Sequence, residues 1–225
     1  MNDNKKTRVV MQNTISLDGS FINFETSQEV MGLHYQIVGS FGKVLYLFGS
    51  NTAKVAIEMF GGLTPETKDD FKRPQKSEDL SYWVVVDSEA VLKEKLHFYR
   101  QSEYCRDIIV LVSESTDKSY LDYLKEREYD FVVAGEKQVD LKKSFDVLSD
   151  RYETNTILVD SGRGLTNAML NQGLVDEISL LVLPVIVGEK SENLFSNIAK
   201  QVKLTELKEK TFPGGYVHLH YKIFK

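Results

Sequence analysis

The residues best suited to chemistry lie in one short stretch, Asp160, Ser161, Gly162, Arg163, Gly164, Leu165 and Thr166. Before it comes an apolar run, Ile157, Leu158 and Val159, which predicts a buried strand ending at Asp160. After it, Leu165, Ala168, Met169 and Gln172 recur at helical spacing, and Gly173 stands where a left-handed residue would close a helix over 163–172. A strand, a glycine turn and a helix in that order aim backbone N–H groups and the positive end of a helix dipole at a sheet edge, which suits a phosphate. Glycine keeps side chains off such a guest and reaches positive φ cheaply. The same residues also make an ordinary connector with a helix cap, and on the turn alone this plainer reading stands slightly ahead.

A second turn of this kind, Gly49-Ser50-Asn51-Thr52, separates a predicted strand over 44–48 from a helix over 53–60 that Gly61-Gly62 closes. Two such turns suit the two ends of a dinucleotide, although Ser, Asn and Thr also serve as N-caps with no ligand at all. A third candidate is the exposed loop 16–25, in which Asp18-Gly19 makes a turn beside the first strand, over 8–15.

Several sharper motifs fail. A serine-hydrolase elbow needs glycine two residues before the serine, and Val159 holds that place before Ser161. The Rossmann fingerprint begins with Gly162 and Gly164, but Asn167 takes its third glycine position. No GK[ST] follows either turn, which removes a Walker-type loop, and the HxE and PCxxC zinc signature of deaminases is absent. His218 and His220 share one side of a strand with Lys222, so a solvent face is expected there rather than a metal site. His34 and His97 are distant in sequence, and no metal is expected.

The elements that must position these residues follow from the chain's length and pattern. With 225 residues and no break in composition, a single domain over 1–225 is expected, since chains divide at about 250–300 residues. Strands over 81–87, 107–112 and 129–133 alternate with helices over 28–40, 89–99, 121–126 and 141–152, which calls for a mostly parallel sheet with helices on both faces. The polar segment 63–80, with Pro65 and Pro74, reads as a long loop that is either disordered or functional. Strands over 178–187, 202–210 and 216–224 lack intervening helices and should be antiparallel, the last two joined by Pro213-Gly214-Gly215. A net charge of −5 gives no general basic footprint for nucleic acid. One cysteine, Cys105, makes no internal disulfide. The polar start and the absence of a long apolar run predict a cytoplasmic protein with no membrane partner.

Four segments, TISLDGSFINFE, LYLFGSNTA, VDSGRGLTNAMLNQGLVDEISLLVLPVIVGEKSENLF and YVHLHYKIF, occur in the order of a known family. Together they resemble the C-terminal reductase domain of the riboflavin biosynthesis deaminase-reductases and its stand-alone relatives, of the dihydrofolate reductase-like fold. The resemblance implies an α/β architecture closed by an antiparallel C-terminal hairpin, NADPH as cofactor, and reduction of the ribose of a 5-amino-6-(phosphoribosylamino)uracil-type pyrimidine to a ribityl chain. It implies that Gly49, Ser50, Asn51, Thr52, Ser161, Gly162, Arg163, Gly164, Leu165 and Thr166 hold the cofactor, and that Ser16, Asp18 and Gly19 lie beside the substrate. Asp160 stands where the family carries a glutamate facing substrate and nicotinamide, and so takes the catalytic role. Two departures stand out: Arg163 replaces the family's usual glycine or proline, and no Asp-Asp-Pro segment follows the first turn, with only Glu58 near that spacing.

The same resemblance, with the apolar alternation of Val217, Leu219, Tyr221 and Ile223 read as an unprotected edge, predicts a homodimer. The alternatives are a reductase of a pterin or another small carbonyl or imine substrate, and a non-catalytic nucleotide-binding protein on the same fold.

Overall fold

The structure is a computed structural model and describes residues 7–152 and 154–225; the polar start at 1–6 lies outside the described residues. In chain order the first elements are β1 (Arg8–Ser16), α1 (Gln28–Gly39), β2 (Leu45–Gly49), α2 (Ser50–Met59), β3 (Tyr82–Val86), α3 (His97–Gln101), β4 (Ile108–Val112) and α4 (Lys118–Glu126). They are followed by β5 (Asp130–Val133), α5 (Leu141–Tyr152), β6 (Thr156–Val159), α6 (Arg163–Asn171), β7 (Glu177–Leu183), β8 (Leu204–Thr211) and β9 (Val217–Ile223). Contacts cluster in two compact units, Lys43–Ile157 with Thr7, and Arg8–Gly42 with Leu158–Lys225. β6 carries the chain from the first to the second.

In the unit built on Lys43–Ile157, β5, β4, β3 and β2 lie side by side and parallel. β4 is buried at all five positions, as an all-apolar central strand must be when both faces are covered. Phe48, Leu96, Tyr99, Val110, Tyr120 and Leu124 belong to its core. The helix expected over 89–99 shrinks to α3, because Ala90 and Glu94 take positive φ of 58° and 64° and break the run into turns. The buried Asp87 carboxylate fixes the first of these by accepting the N–H groups of Val91 and Leu92. Segment 63–80 is neither a bare loop nor loose. It holds a 3-10 turn over Lys68–Phe71 with a capping box from Thr67 to Asp70, and Arg100 donates to the Asp70 carbonyl at 2.7 Å.

In the other unit, β1 pairs in parallel with β7, β7 antiparallel with β9, and β9 antiparallel with β8. α1 begins at Ser27, whose hydroxyl accepts from Val30 N–H, and packs Val30 and Ile37 against Leu181 and Leu183. β7 is shorter than the apolar run suggests. It stops at Leu183, since Pro184 has no N–H to give a ladder and Val185 N–H turns back to the Leu183 carbonyl at 2.8 Å. The hairpin turn is as expected, with Gly214 and Gly215 at φ of 81° and 84°. The strand order corrects the edge argument: β9 lies between β7 and β8, and the outer strand is β8, exposed at all eight of its positions. Mostly parallel strands with helices and an antiparallel C-terminal group make this an α/β protein.

Candidate active site

β6 is buried at Ile157, Leu158 and Val159 and delivers Asp160 to its carboxyl end, directly before the turn into α6. That turn is fixed from beneath. The Ser161 carbonyl accepts the Asn13 side-chain amide at 2.9 Å and the Thr166 hydroxyl at 3.1 Å. Thr166 is wholly buried, so this residue, expected among the cofactor contacts, serves the turn instead. Ser161 is itself buried, while Arg163 and Leu165 are partly exposed.

Gly162 is the N-cap of α6, with φ −67° and ψ 175°, and Gly164 has no positive φ, so neither glycine is needed for left-handed backbone. What Gly164 provides is room. A Cβ placed on Gly164 meets nothing within 4 Å, and no side chain caps the helix. Arg163 sits at the first position of α6 and makes a loose pair with Glu192 at 3.5 Å, both side chains more than a third exposed. A helix end with a cation, an open approach and no side-chain cap fits a phosphate of a dinucleotide.

α2 has the same construction. Gly49 ends β2 and is the N-cap, again with no side-chain cap, so Ser50, Asn51 and Thr52 lie in the first helical turn rather than before it. α1 and α4 differ, being capped by Ser27 and Asp117 side chains.

Asp160 gains a partner that sequence distance had set aside. His34, on α1, places Nε2 3.0 Å from Asp160 Oδ2 and Nδ1 2.9 Å from Thr14 Oγ1 on β1. The side chains of His34 and Asp160 are 13% and 24% exposed, so the pair is sheltered without being sealed. Burial pulls the His34 pKa down, but the charge and hydrogen bond of Asp160 raise it further, and the net lies above the ordinary imidazole value. Tyr35 stands edge-on to the His34 ring at 5.2 Å, and burial, then Asp160, raise its pKa. The signal for His34 was a histidine inside the apolar stripe of Val30, Leu33, Ile37 and Val38, a place where an imidazole needs polar partners from other elements.

The loop after β1 is tied down rather than open. Ser16, wholly buried, donates to Asp18 Oδ1 at 2.5 Å, and the Asp18 carboxylate also accepts from Val187 N–H at 3.2 Å and Gly188 N–H at 3.0 Å. These bonds, that of Ser16 first, hold the Asp18 pKa down at about 2. Gly19 has φ +83°, and a Cβ there would meet Asn193 Nδ2 at 2.6 Å. So Ser16 and Gly19 shape the loop, and Asp18 staples it to the turn that ends β7. His218 and His220 also differ from expectation. They are part-buried, with His218 Nε2 2.7 Å from Ser179 Oγ and His220 Nε2 2.6 Å from Glu177 Oε2, diagonal contacts across the antiparallel pair in which Ser179 faces His220 and Glu177 faces Lys222.

Comparison with known proteins now has a geometry to explain. A curated relative, the uncharacterized protein YyaP of Bacillus subtilis, is 35% identical over 60 residues, a match spanning 27% of this chain and only 31% of that protein. Among solved structures, a pyrimidine reductase-like protein of Corynebacterium diphtheriae gives a TM-score of 0.72 at 19% identity over 97% of this chain and 92% of that one. The riboflavin biosynthesis reductase Rib7 of Saccharomyces cerevisiae gives 0.68 at 15% identity over 100% and 93%. A dihydrofolate reductase of Enterococcus faecalis gives 0.51 at 6% identity over 97% of each chain. At these identities the structures speak for the fold. The family model of the RibD C-terminal domain matches residues 7–218, and the chain therefore belongs to that family.

Proposed function

We propose that the protein is an NADPH-dependent reductase of a 5-amino-6-(phosphoribosylamino)uracil-type pyrimidine, converting its ribose to a ribityl chain. The observation that carries this reading is a carboxylate, Asp160, at the end of a buried strand and immediately before a helix N-terminus that begins at glycine and carries Arg163 in its first turn. When bound, the cofactor supplies the hydride. The chain's own residues do the rest. The first turn of α6, with Gly162, Arg163, Gly164 and Leu165, receives a phosphate, and Arg163 exchanges its exposed contact with Glu192 for the greater charge of that group. Gly49 to Thr52 at the start of α2 is a second proposed cofactor contact. Asp160 holds a substrate hydroxyl or amine and stabilises positive charge that develops near the reacting carbon. Asp18 and Gly19, fixed by Ser16, are the proposed substrate-side loop.

NADPH oxidation in the presence of the pyrimidine tests the reading. Turnover only with a pterin or another small carbonyl or imine would redirect it to a different substrate on the same fold, and tight NADPH binding with no turnover on any candidate would favour a binding protein. A homodimer is proposed alongside. β9 is no edge, but Val217, Leu219, Tyr221 and Ile223 remain only partly buried on one of its faces. Sedimentation at micromolar concentration should give twice the 25.7 kDa chain mass, and Leu219→Asp should split the dimer.

A further inference from the structure

We infer that His34 is the proton source of the reduction, acting through Asp160, with Thr14 holding the imidazole so that it can gain and lose that proton in place. The inference rests on the proposed role of Asp160 and adds a residue that the riboflavin resemblance does not supply. Three side chains from three elements line up: Thr14 on β1, His34 on α1 and Asp160 at the end of β6, with contacts of 2.9 and 3.0 Å.

The chemistry follows from what each group can donate. In the imidazolium both ring nitrogens are donors, Nε2–H to Asp160 Oδ2 and Nδ1–H to Thr14 Oγ1. After loss of the Nε2 proton, Nδ1–H still donates to Thr14, and bare Nε2 accepts from the protonated carboxyl of Asp160. No heavy atom has to move and no buried group is orphaned in either state. A hydroxyl suits the far nitrogen because it can also donate to it if the other tautomer forms. Reduction of a C=O or C=N bond adds a hydride to carbon, and the π electron pair moves to the heteroatom, which must take a proton. His34 passes its Nε2 proton to the Asp160 carboxylate, which hands it on to that heteroatom and is a carboxylate again; solvent recharges the neutral His34 between turnovers. Among the described residues the charge that acts on His34 is that of Asp160, and Tyr35 is a further titratable neighbour, so His34 and Asp160 gain and lose their proton as a coupled unit. His34 is a positioning residue here, since Asp160 is the group placed at the substrate.

The test combines a titration of the free protein with kinetics. By NMR of ring-labelled histidine, His34 should titrate above the ordinary imidazole value in the wild-type protein, fall by about one pH unit or more in Asp160→Asn, fall in Thr14→Val, and recover in Thr14→Ser. Turnover of NADPH with the pyrimidine should decline as pH rises through that same value, and His34→Gln should cut kcat at least tenfold and erase the decline, with KM for NADPH unchanged. A His34 titration indifferent to Asp160→Asn overturns the relay. So does a His34→Gln enzyme with the wild-type pH profile, and in that case an impaired Asp160→Asn would leave the role of Asp160 standing. Full activity in Asp160→Asn sinks both. If His34→Gln fails to fold, His34→Asn and the Thr14 pair carry the same comparison.

Discussion

Asp160 and Glu177 each hold a histidine, His34 at 3.0 Å and His220 at 2.6 Å, yet the surroundings give the two carboxylates different work. Arg8 grips both oxygens of Glu177, Nε to Oε1 at 2.7 Å and Nη2 to Oε2 at 2.6 Å, and first this bond, then His220, holds the Glu177 pKa down against burial. A guanidinium keeps its proton at any working pH, so this carboxylate is locked in one charge state and ties β1 to β7 and β9. Beside Asp160 stands an imidazole, whose charge changes near neutrality. The lesson is that a carboxylate–histidine contact alone says little; the third partner and its ability to titrate decide between a staple and a site.

The largest expected effect separates the two carboxylates by activity. Asp160→Asn should lower kcat by about 10²-fold or more, the usual scale for losing a group that acts on the reacting atoms, with NADPH affinity within about twofold. Glu177→Gln, assayed beside it, should keep turnover close to wild type. Steady-state kinetics and a cofactor fluorescence titration read both, and the opposite ranking would invert the comparison.

A smaller effect concerns the turn next to Asp160. Because a Cβ at Gly164 meets nothing and its φ is ordinary, Gly164→Val should leave circular dichroism and melting temperature unchanged. NADPH affinity should fall by at least about tenfold, roughly 1.4 kcal/mol. Unaltered affinity in the folded variant would remove this turn from the cofactor site.

Stability should rank the pair the other way. Glu177→Gln leaves Arg8, 42% exposed at its side chain, without its charged partner, so a cost of about 1–2 kcal/mol is expected, between the values of exposed and buried pairs. Thermal or urea unfolding checks it, and a loss as large in Asp160→Asn would mean that both pairs are staples.

The smallest effect is on acid stability. Asp18 and Glu177 both have folded pKa values below the unfolded ones, so each stabilises the fold above its unfolded value of about 4 and loses that contribution as pH falls through its folded value, about 2 for Asp18. Asp18→Asn should therefore flatten the decline in urea midpoint between about pH 4 and pH 2 while leaving a residual decline from Glu177.

Much of this protein was legible in its residues. The run Ile157 to Asp160, the Gly162–Gly164 opening and the left-handed Gly173, at φ +67°, gave the strand, turn and helix with errors of a residue or so, since local backbone preferences and apolar periodicity act within a few residues. The alternation of strands and helices gave the parallel sheet for the same reason. Where left-handed Ala90 and Glu94 interrupt a helical pattern, or Pro184 ends β7 inside an apolar run, local pattern misled because the turn depends on Asp87 and on missing ladder bonds. Only the tertiary structure brought His34 to Asp160 across 126 positions, placed Thr14 behind it, and showed that Thr166 and Ser16 spend their hydroxyls inward. Hydrogen bonds between elements depend on how a helix packs on a sheet, and that packing is set by Val30 and Ile37 meeting Leu181 and Leu183, a relation that no spacing along the chain records.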